Sequence, residues 1–187
     1  MNIFVLHIDP EKSAQSLCDQ HVIRMVRETT QLLSTAHRTM DTIEESDNRF
    51  LLVYPEIEPD HPCLKWVMES IHNYNWLFFH AKALYEEYHF RFDKPSNYEI
   101  YGSHLYQIPH GYFNVYDHLG RTPFVQQLPE QYKNIMNDDN NATDITKNNN
   151  TINAYRNFYI NEVSPTTDWT KRTPPDWYMK GIDALNK

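Results

Sequence analysis

The chain opens on NIFVLHI at 2–8, an almost wholly apolar, β-prone run that predicts a single strand or an extended segment packed on the core. Asp9-Pro10-Glu11 then reads as a helix start: Asp9 offers an N-cap acceptor, Pro10 suits the first helical position, and Glu11 puts negative charge at the positive helix end. Beyond it Val22, Met25, Val26, Leu32, Leu33 and Ala36 fall on one arc at the helical period. A helix from 9 to about 38 follows, with these residues inward and a polar opposite side. A second start at Asp60-His61-Pro62 leads into CLKWVMESIHNYNWLFFHAKALYEEYHFRF, one long helix or two in series with a break near 73–75. Its aromatic density marks it as the central core element.

Downstream the pattern thins. Residues 96–105 predict a third, shorter helix, and 107–127, with Pro109, Gly111, Gly120 and Pro123, predict an irregular connection tied down by Tyr112, Phe113, Tyr116 and Phe124. A helical turn or two is expected over 129–136. The run NDDNNATDITKNNNTIN at 137–153 reads as a polar loop with a mobile tip, 152–163 as a last helix, and DWTKRTPPDWYMKGI as an irregular tail. No internal repeat is present. The expected fold is mainly α: one compact helical domain over 1–187 with a short N-terminal extended segment, long loops and an irregular C-terminal tail.

Composition agrees with one core. A chain of 187 residues fits a single domain, and 40% hydrophobic residues, with 13 Tyr, 9 Phe and 4 Trp, supply its interior. No apolar run approaches the roughly 20 residues that cross a bilayer. The start also lacks the basic end and small-residue cleavage site of a signal peptide. A cytoplasmic location without a membrane partner is expected, and there Cys18 and Cys63 stay as thiols. The net charge of −8 repels a phosphate backbone, so any nucleic-acid role needs a local basic face.

Three polar constellations stand out. His21, Arg24, Glu28 and Gln31 are spaced 3, 4 and 3 apart and share one helix face, with Arg27 beside it. A carboxylate among guanidinium groups and an imidazole is suited to stabilising positive charge on a substrate. The same spacing also suits a salt-bridged solvent face, since Arg24 and Glu28 are an i,i+4 pair, and that plainer reading is the commoner one. Cys18-x-x-His21 and His61-x-Cys63 hold four zinc-type donors, but they lack the spacing of common zinc modules, and no metal is expected. The tail interleaves Trp169, Lys171, Arg172, Trp177 and Tyr178, as a nucleic-acid contact surface does, or as aromatics docking on helices do. No Walker A loop, GxGxxG turn, GxSxG elbow or CxxC pair occurs.

At Asp19-Gln20-His21 followed by Arg27-Glu28, the helix resembles that of the phage pyrimidine-dimer DNA glycosylases of the endonuclease V type, with the same spacing from His to Arg-Glu. A related group in that superfamily shares a Glu-x-x-Gln step, here Glu28 to Gln31, a His-Pro opening the next long helix, here His61-Pro62, and a late Pro-x-Trp, here Pro175-Asp176-Trp177. The whole chain is also similar to a widespread family of phage proteins without an assigned role. The resemblance implies that an α-amine at the chain start attacks the sugar C1′ of a damaged nucleotide while Glu28 stabilises the resulting cation and Schiff base. His21 and the arginines then contact DNA. Gln31 stands where the glycosylases carry a second arginine, and Asn2 is large for efficient removal of Met1, so the expected amine is that of Met1. An ordinary α-amine, with pKa about 7.7–8, leaves on the order of a tenth neutral at pH 7, so no cofactor is needed.

The expected activity is a DNA glycosylase, with or without abasic-site lyase activity. Met1 and Glu28 are its catalytic residues, and His21, Arg24, Arg27, Gln31, Lys171, Arg172 and Trp177 bind substrate. Two alternatives differ in class: a non-catalytic phage protein binding a host protein through its acidic surface, and an enzyme acting on a free nucleotide.

Overall fold

The computed structural model describes residues 1–41, 57–114, 120–133, 141–163 and 167–187, with backbone alone at 113 and 114. Among them lie α1 (Pro10–Ser16), α2 (Asp19–Met40), α3 (Pro62–Glu69), α4 (Ile71–Phe92), α5 (Gly102–Leu105), α6 (Asp144–Glu162) and α7 (Asp176–Leu185), and no strand. The mainly α architecture is the one the apolar periodicity predicts. None of the described helices is long and apolar enough to cross a membrane.

The helix expected from 9 to 38 is two helices. Asp9 caps α1 by accepting from Lys12 N at 2.9 Å, with Pro10 in the first turn, as the sequence implies. The chain then passes through extended Leu17 and Cys18, both buried, before α2 begins. No glycine or proline marks this break. Its cause is tertiary: the carbonyls a helix C-terminus leaves open are taken by Arg91 of α4, whose guanidinium donates to Leu17 O at 2.8 Å and to Gln15 O at 3.0 Å. Both α1 and α2 pack on α4. The Val22, Met25, Val26, Leu32, Leu33 and Ala36 arc of α2 is buried as expected.

The central aromatic stretch also divides, at Ser70 rather than at 73–75. Ser70 is extended; its Oγ accepts from His72 N at 3.0 Å and donates to Gly120 O at 2.7 Å, closing α3 and capping α4. Asn73 stays helical and buried, and its amide donates to Trp66 O and Thr122 Oγ1, both at 2.7 Å. Over 96–105 the expected helix is a 3-10 turn at Glu99–Tyr101 followed by the single turn of α5. The connection over 107–127 carries a 3-10 turn at His110–Asn114, and Tyr112 and Phe124 anchor it as expected, while Tyr116 and the Phe113 side chain lie outside the described residues. A further 3-10 turn at Glu130–Tyr132 occupies part of 129–136, whose remaining residues, 134–136, are not described.

The polar run at 137–153 is largely helical, which corrects the loop expected there; 137–140 fall outside the described residues. Thr143 caps α6, and Asn148, Thr151, Ile152, Tyr155 and Tyr159 form its buried face at helical spacing. Two of these five are polar, which hid the periodicity. They serve the 120–128 segment: Asn148 Oδ1 accepts from Phe124 N at 3.0 Å, and Thr151 Oγ1 donates to Phe124 O at 3.4 Å. The tail is irregular only to Pro175. α7 then packs on α6, and at Gly181 a Cβ would lie 2.4 Å from the Ile160 side chain, so any larger residue there would have to displace Ile160.

The N-terminal segment is buried from 2 to 6 and enters no sheet. Buried backbone groups need partners, and here side chains provide them. Ile3 N donates to Asn2 Oδ1 at 2.7 Å, Leu6 N to Ser13 Oγ at 3.0 Å, and Leu6 O accepts from Arg156 Nε at 3.0 Å.

Candidate active site at the start of the chain

Asn2 brings the chain start to α2. Its backbone N–H donates to Glu28 Oε2 at 2.9 Å, while Arg24 Nε donates to Glu28 Oε1 at 2.6 Å. Glu28 is 4% exposed. A buried carboxylate is tolerated only when paired and hydrogen-bonded, and these two donors, one on each oxygen, meet that need. Adjacent backbone nitrogens lie at most about 4 Å apart, so the Met1 amine is within about 7 Å of the carboxylate.

The Asn2 side chain fixes this arrangement. Oδ1 accepts from Ile3 N, from Phe4 N at 3.2 Å and from Tyr155 OH at 2.7 Å, and Nδ2 donates to Gln127 O at 2.6 Å. Phe4, at φ 51, adopts the left-handed conformation that non-glycine residues seldom visit. Its ring thereby stacks on His21, with centroids 4.4 Å apart.

The remaining stripe residues differ in surroundings. His21 hydrogen-bonds Tyr159 OH through Nδ1, and burial, then the nearby Arg24, push its pKa down to about 4. At neutral pH it is therefore an uncharged ring, not a cation. Gln31 is buried at 9% exposure. Arg24 and Arg27 reach solvent and, with Ile23, Val26, Tyr88 and Tyr98, line a recess of about 330 Å³ between α2 and α4. The stripe is thus not a uniform solvent face: its carboxylate and amide are interior, its arginines outside.

The tail cations take another place. Lys171 pairs with Asp93 at 2.5 Å, and Arg172 pairs with Glu87, which also accepts from the buried Arg91 at 2.9 Å. These contacts hold the tail to the C-terminal half of α4 and offset most of the basic charge it would present. Trp177 packs edge-on against Tyr159, with Arg156 over its ring at 5.2 Å, so it reaches the stripe through Tyr159.

Two residues set aside as zinc-type donors also lie at the chain start. Burial, then the N-terminal charge, lowers the pKa of His61. Burial pushes the Cys63 thiol up to about 12, against the opposing pull of the N-terminal charge, so it keeps its proton. Cys18 lies instead beside Tyr159, with Sγ and OH 3.9 Å apart. Among the described residues no group of His, Cys, Asp or Glu is arranged to hold a metal. Sequence reasoning met Asn2 only as the neighbour of Met1 and did not reach Gln127, Tyr155 or Tyr159. Their side chains carry no motif and meet only through the fold.

No curated protein and no solved structure matches the chain. A family model described as pyrimidine dimer DNA glycosylase matches residues 1–97, which include the chain start, Glu28 and His61. That match takes in more than half of the 187 residues, and the chain belongs to the pyrimidine dimer DNA glycosylase family.

Proposed function

We propose that the chain is a DNA glycosylase with abasic-site lyase activity, acting on a damaged or modified base through the amine at its start and the Glu28 carboxylate. The observation that carries this reading is the 2.9 Å hydrogen bond from Asn2 N to Glu28. It ties an N-terminal nucleophile to a buried negative charge, the pairing that amine attack on a sugar carbon requires. As the base departs, positive charge develops at C1′ and then on the iminium nitrogen. A fixed carboxylate in a water-poor setting stabilises such charge far more than a solvated one does.

Glu28 holds a donor on each oxygen, which suits it to this electrostatic role. Met1 supplies the attacking nitrogen. Arg24 and Arg27, at the mouth of the recess, contact DNA phosphates, while His21 and Gln31 contact the substrate as neutral hydrogen-bonding groups. Trp177 supports that wall through Tyr159. Lys171 and Arg172 act chiefly by holding the tail in place.

The test is to incubate the protein with duplex DNA carrying an abasic site in the presence of borohydride, then to locate any covalent adduct by peptide mass. The expected result is an adduct on the first residue, formed faster at low salt. A second duplex carrying a pyrimidine dimer should be cleaved in preference to the undamaged one. Absence of an adduct at all salt concentrations down to about 20 mM, where attraction to phosphate is least screened, would sink the proposal.

A further inference from the structure

Tyr159 lies on the buried face of α6, and its hydroxyl meets two side chains: His21 through Nδ1 in a hydrogen bond, and Cys18 Sγ at 3.9 Å. A phenol has one hydrogen to give, so the direction of the His21 bond follows from where that hydrogen can go. If Nδ1 donated to the phenol oxygen, the phenolic hydrogen would be left, among the described residues, with only the Cys18 sulfur, a weak acceptor at a long distance. With Tyr159 donating to Nδ1 every hydrogen is used: burial keeps the Cys18 thiol protonated, and its S–H turns to the phenol oxygen. A neutral imidazole that accepts at Nδ1 carries its hydrogen on Nε2. That Nε2 meets no partner among the described residues and reaches the surface. The ring is held in plane as well, for Phe4 stacks on it at 4.4 Å and Tyr159 meets it edge-on at 5.1 Å.

We propose that Tyr159 is a positioning residue that fixes the tautomer of His21, so that the imidazole offers the substrate a single hydrogen-bond donor, Nε2–H. The group it meets is an acceptor oxygen of the bound nucleotide. This rests on the glycosylase reading for the identity of the substrate, but the tautomer is a property of the free protein. The two charged groups that act on the ring, Arg24 and Glu28, are paired with each other and leave Nδ1 to the phenol. Tyr159 lies beyond residues 1–97, which carry the family match, and the glycosylase resemblance assigns it no role. Its place beside His21 comes from the packing of α6 against the start of α2.

The first measurement needs neither DNA nor a variant. In a ring-nitrogen NMR spectrum of the free protein near neutral pH, His21 should show its hydrogen on Nε2 and a bare Nδ1. The second is the His21 titration in Tyr159→Phe, which keeps the ring contacts and removes the hydroxyl. A donor on Nδ1 favours the neutral ring, so its loss should raise the His21 pKa by about one unit. Were His21 the donor, the pKa would fall instead. The third is the borohydride-trapping rate on abasic-site DNA, at a temperature where circular dichroism shows each variant folded. A misplacement of about 1 Å slows a positioned reaction by up to about a hundredfold, so Tyr159→Phe should trap about 10 to 100 times more slowly than wild type. In a His21→Phe background the same substitution should change the rate by less than about twofold, because the group it acts through is gone. A hydrogen on Nδ1 in wild type, or a His21 pKa that falls or stays in Tyr159→Phe, would overturn the tautomer. Equal slowing by Tyr159→Phe with and without His21 would overturn its action through that residue. If wild-type protein forms no adduct while the spectra hold, the glycosylase reading fails and the tautomer set by Tyr159 stands.

Discussion

Replacing Asn2 with leucine keeps the branched shape of the side chain and removes all of its hydrogen bonding. Four bonds disappear: Ile3 N, Phe4 N and Tyr155 OH lose an acceptor, and Gln127 O loses a donor. Tyr155 OH keeps its bond to Val125 O at 3.2 Å, and the Phe4 bond is the longest of the Asn2 set, so the loss falls mainly on the Ile3 N–H and the Gln127 carbonyl. A buried polar group deprived of its partner costs about 1–3 kcal/mol. Two such groups give a loss of about 4 kcal/mol. For a domain of this size that corresponds to a fall in Tm of about 8–16 °C. Urea denaturation followed by circular dichroism reads the change directly, as a lower midpoint at unchanged slope. A midpoint equivalent to less than about 1 kcal/mol of loss would refute the reasoning, because Asn2 would then be a passenger in the site.

Four further outcomes are expected. Glu28→Gln turns an amide nitrogen towards one of the two donors that Glu28 accepts, so it should lose about 1–3 kcal/mol yet stay folded, and slow adduct formation by at least about a hundredfold, since the neutral amide cannot stabilise the cation; adduct formation at the wild-type rate would refute the role. Arg91→Met should lower stability by about 3–5 kcal/mol in urea unfolding, because it strands the carbonyls of Gln15 and Leu17 and leaves the buried Glu87 with Arg172 as its remaining guanidinium partner. In a plot of log DNA affinity against log salt, Arg27→Ala should reduce the slope by about 0.9, whereas Lys171→Ala, already paired with Asp93, should leave it unchanged. Stability should fall as pH drops from 6.5 towards 4, because burial lowers the His80 pKa to about 4, so the unfolded chain binds the proton first. The share of His80 is about 3 kcal/mol, and His80→Phe should flatten that acid limb in pH-dependent melts.

What the sequence disclosed were local agreements between residue and backbone. Asp9 and Pro10 announce α1, the apolar arc of α2 announces its buried side, and His61-Pro62 announces α3. Each is a signal read within one or two turns. The chain break at Leu17 and Cys18 was hidden because the group that terminates α1 is Arg91, 74 residues from Leu17. α6 was hidden because Asn148 and Thr151 face inward and are satisfied by Phe124. In the site, the stripe from His21 to Gln31 was visible as spacing, but spacing does not say which members are interior. Neither the hydrogen bond of His21 to Tyr159 nor the pairing of Lys171 with Asp93 and of Arg172 with Glu87 follows from adjacency, for each partner lies more than 70 positions away.

The contacts of Asn2 also set an order of events in time. Its side-chain partners at 127 and 155 are made 125 and 153 residues after it. At about 5–20 residues per second, Asn2 therefore waits on the order of 10–30 s with its pocket unbuilt. Until then its side chain and the Ile3 and Phe4 amides that it later receives are held by water alone, so the surroundings of Glu28 close late in synthesis although Glu28 itself is made early.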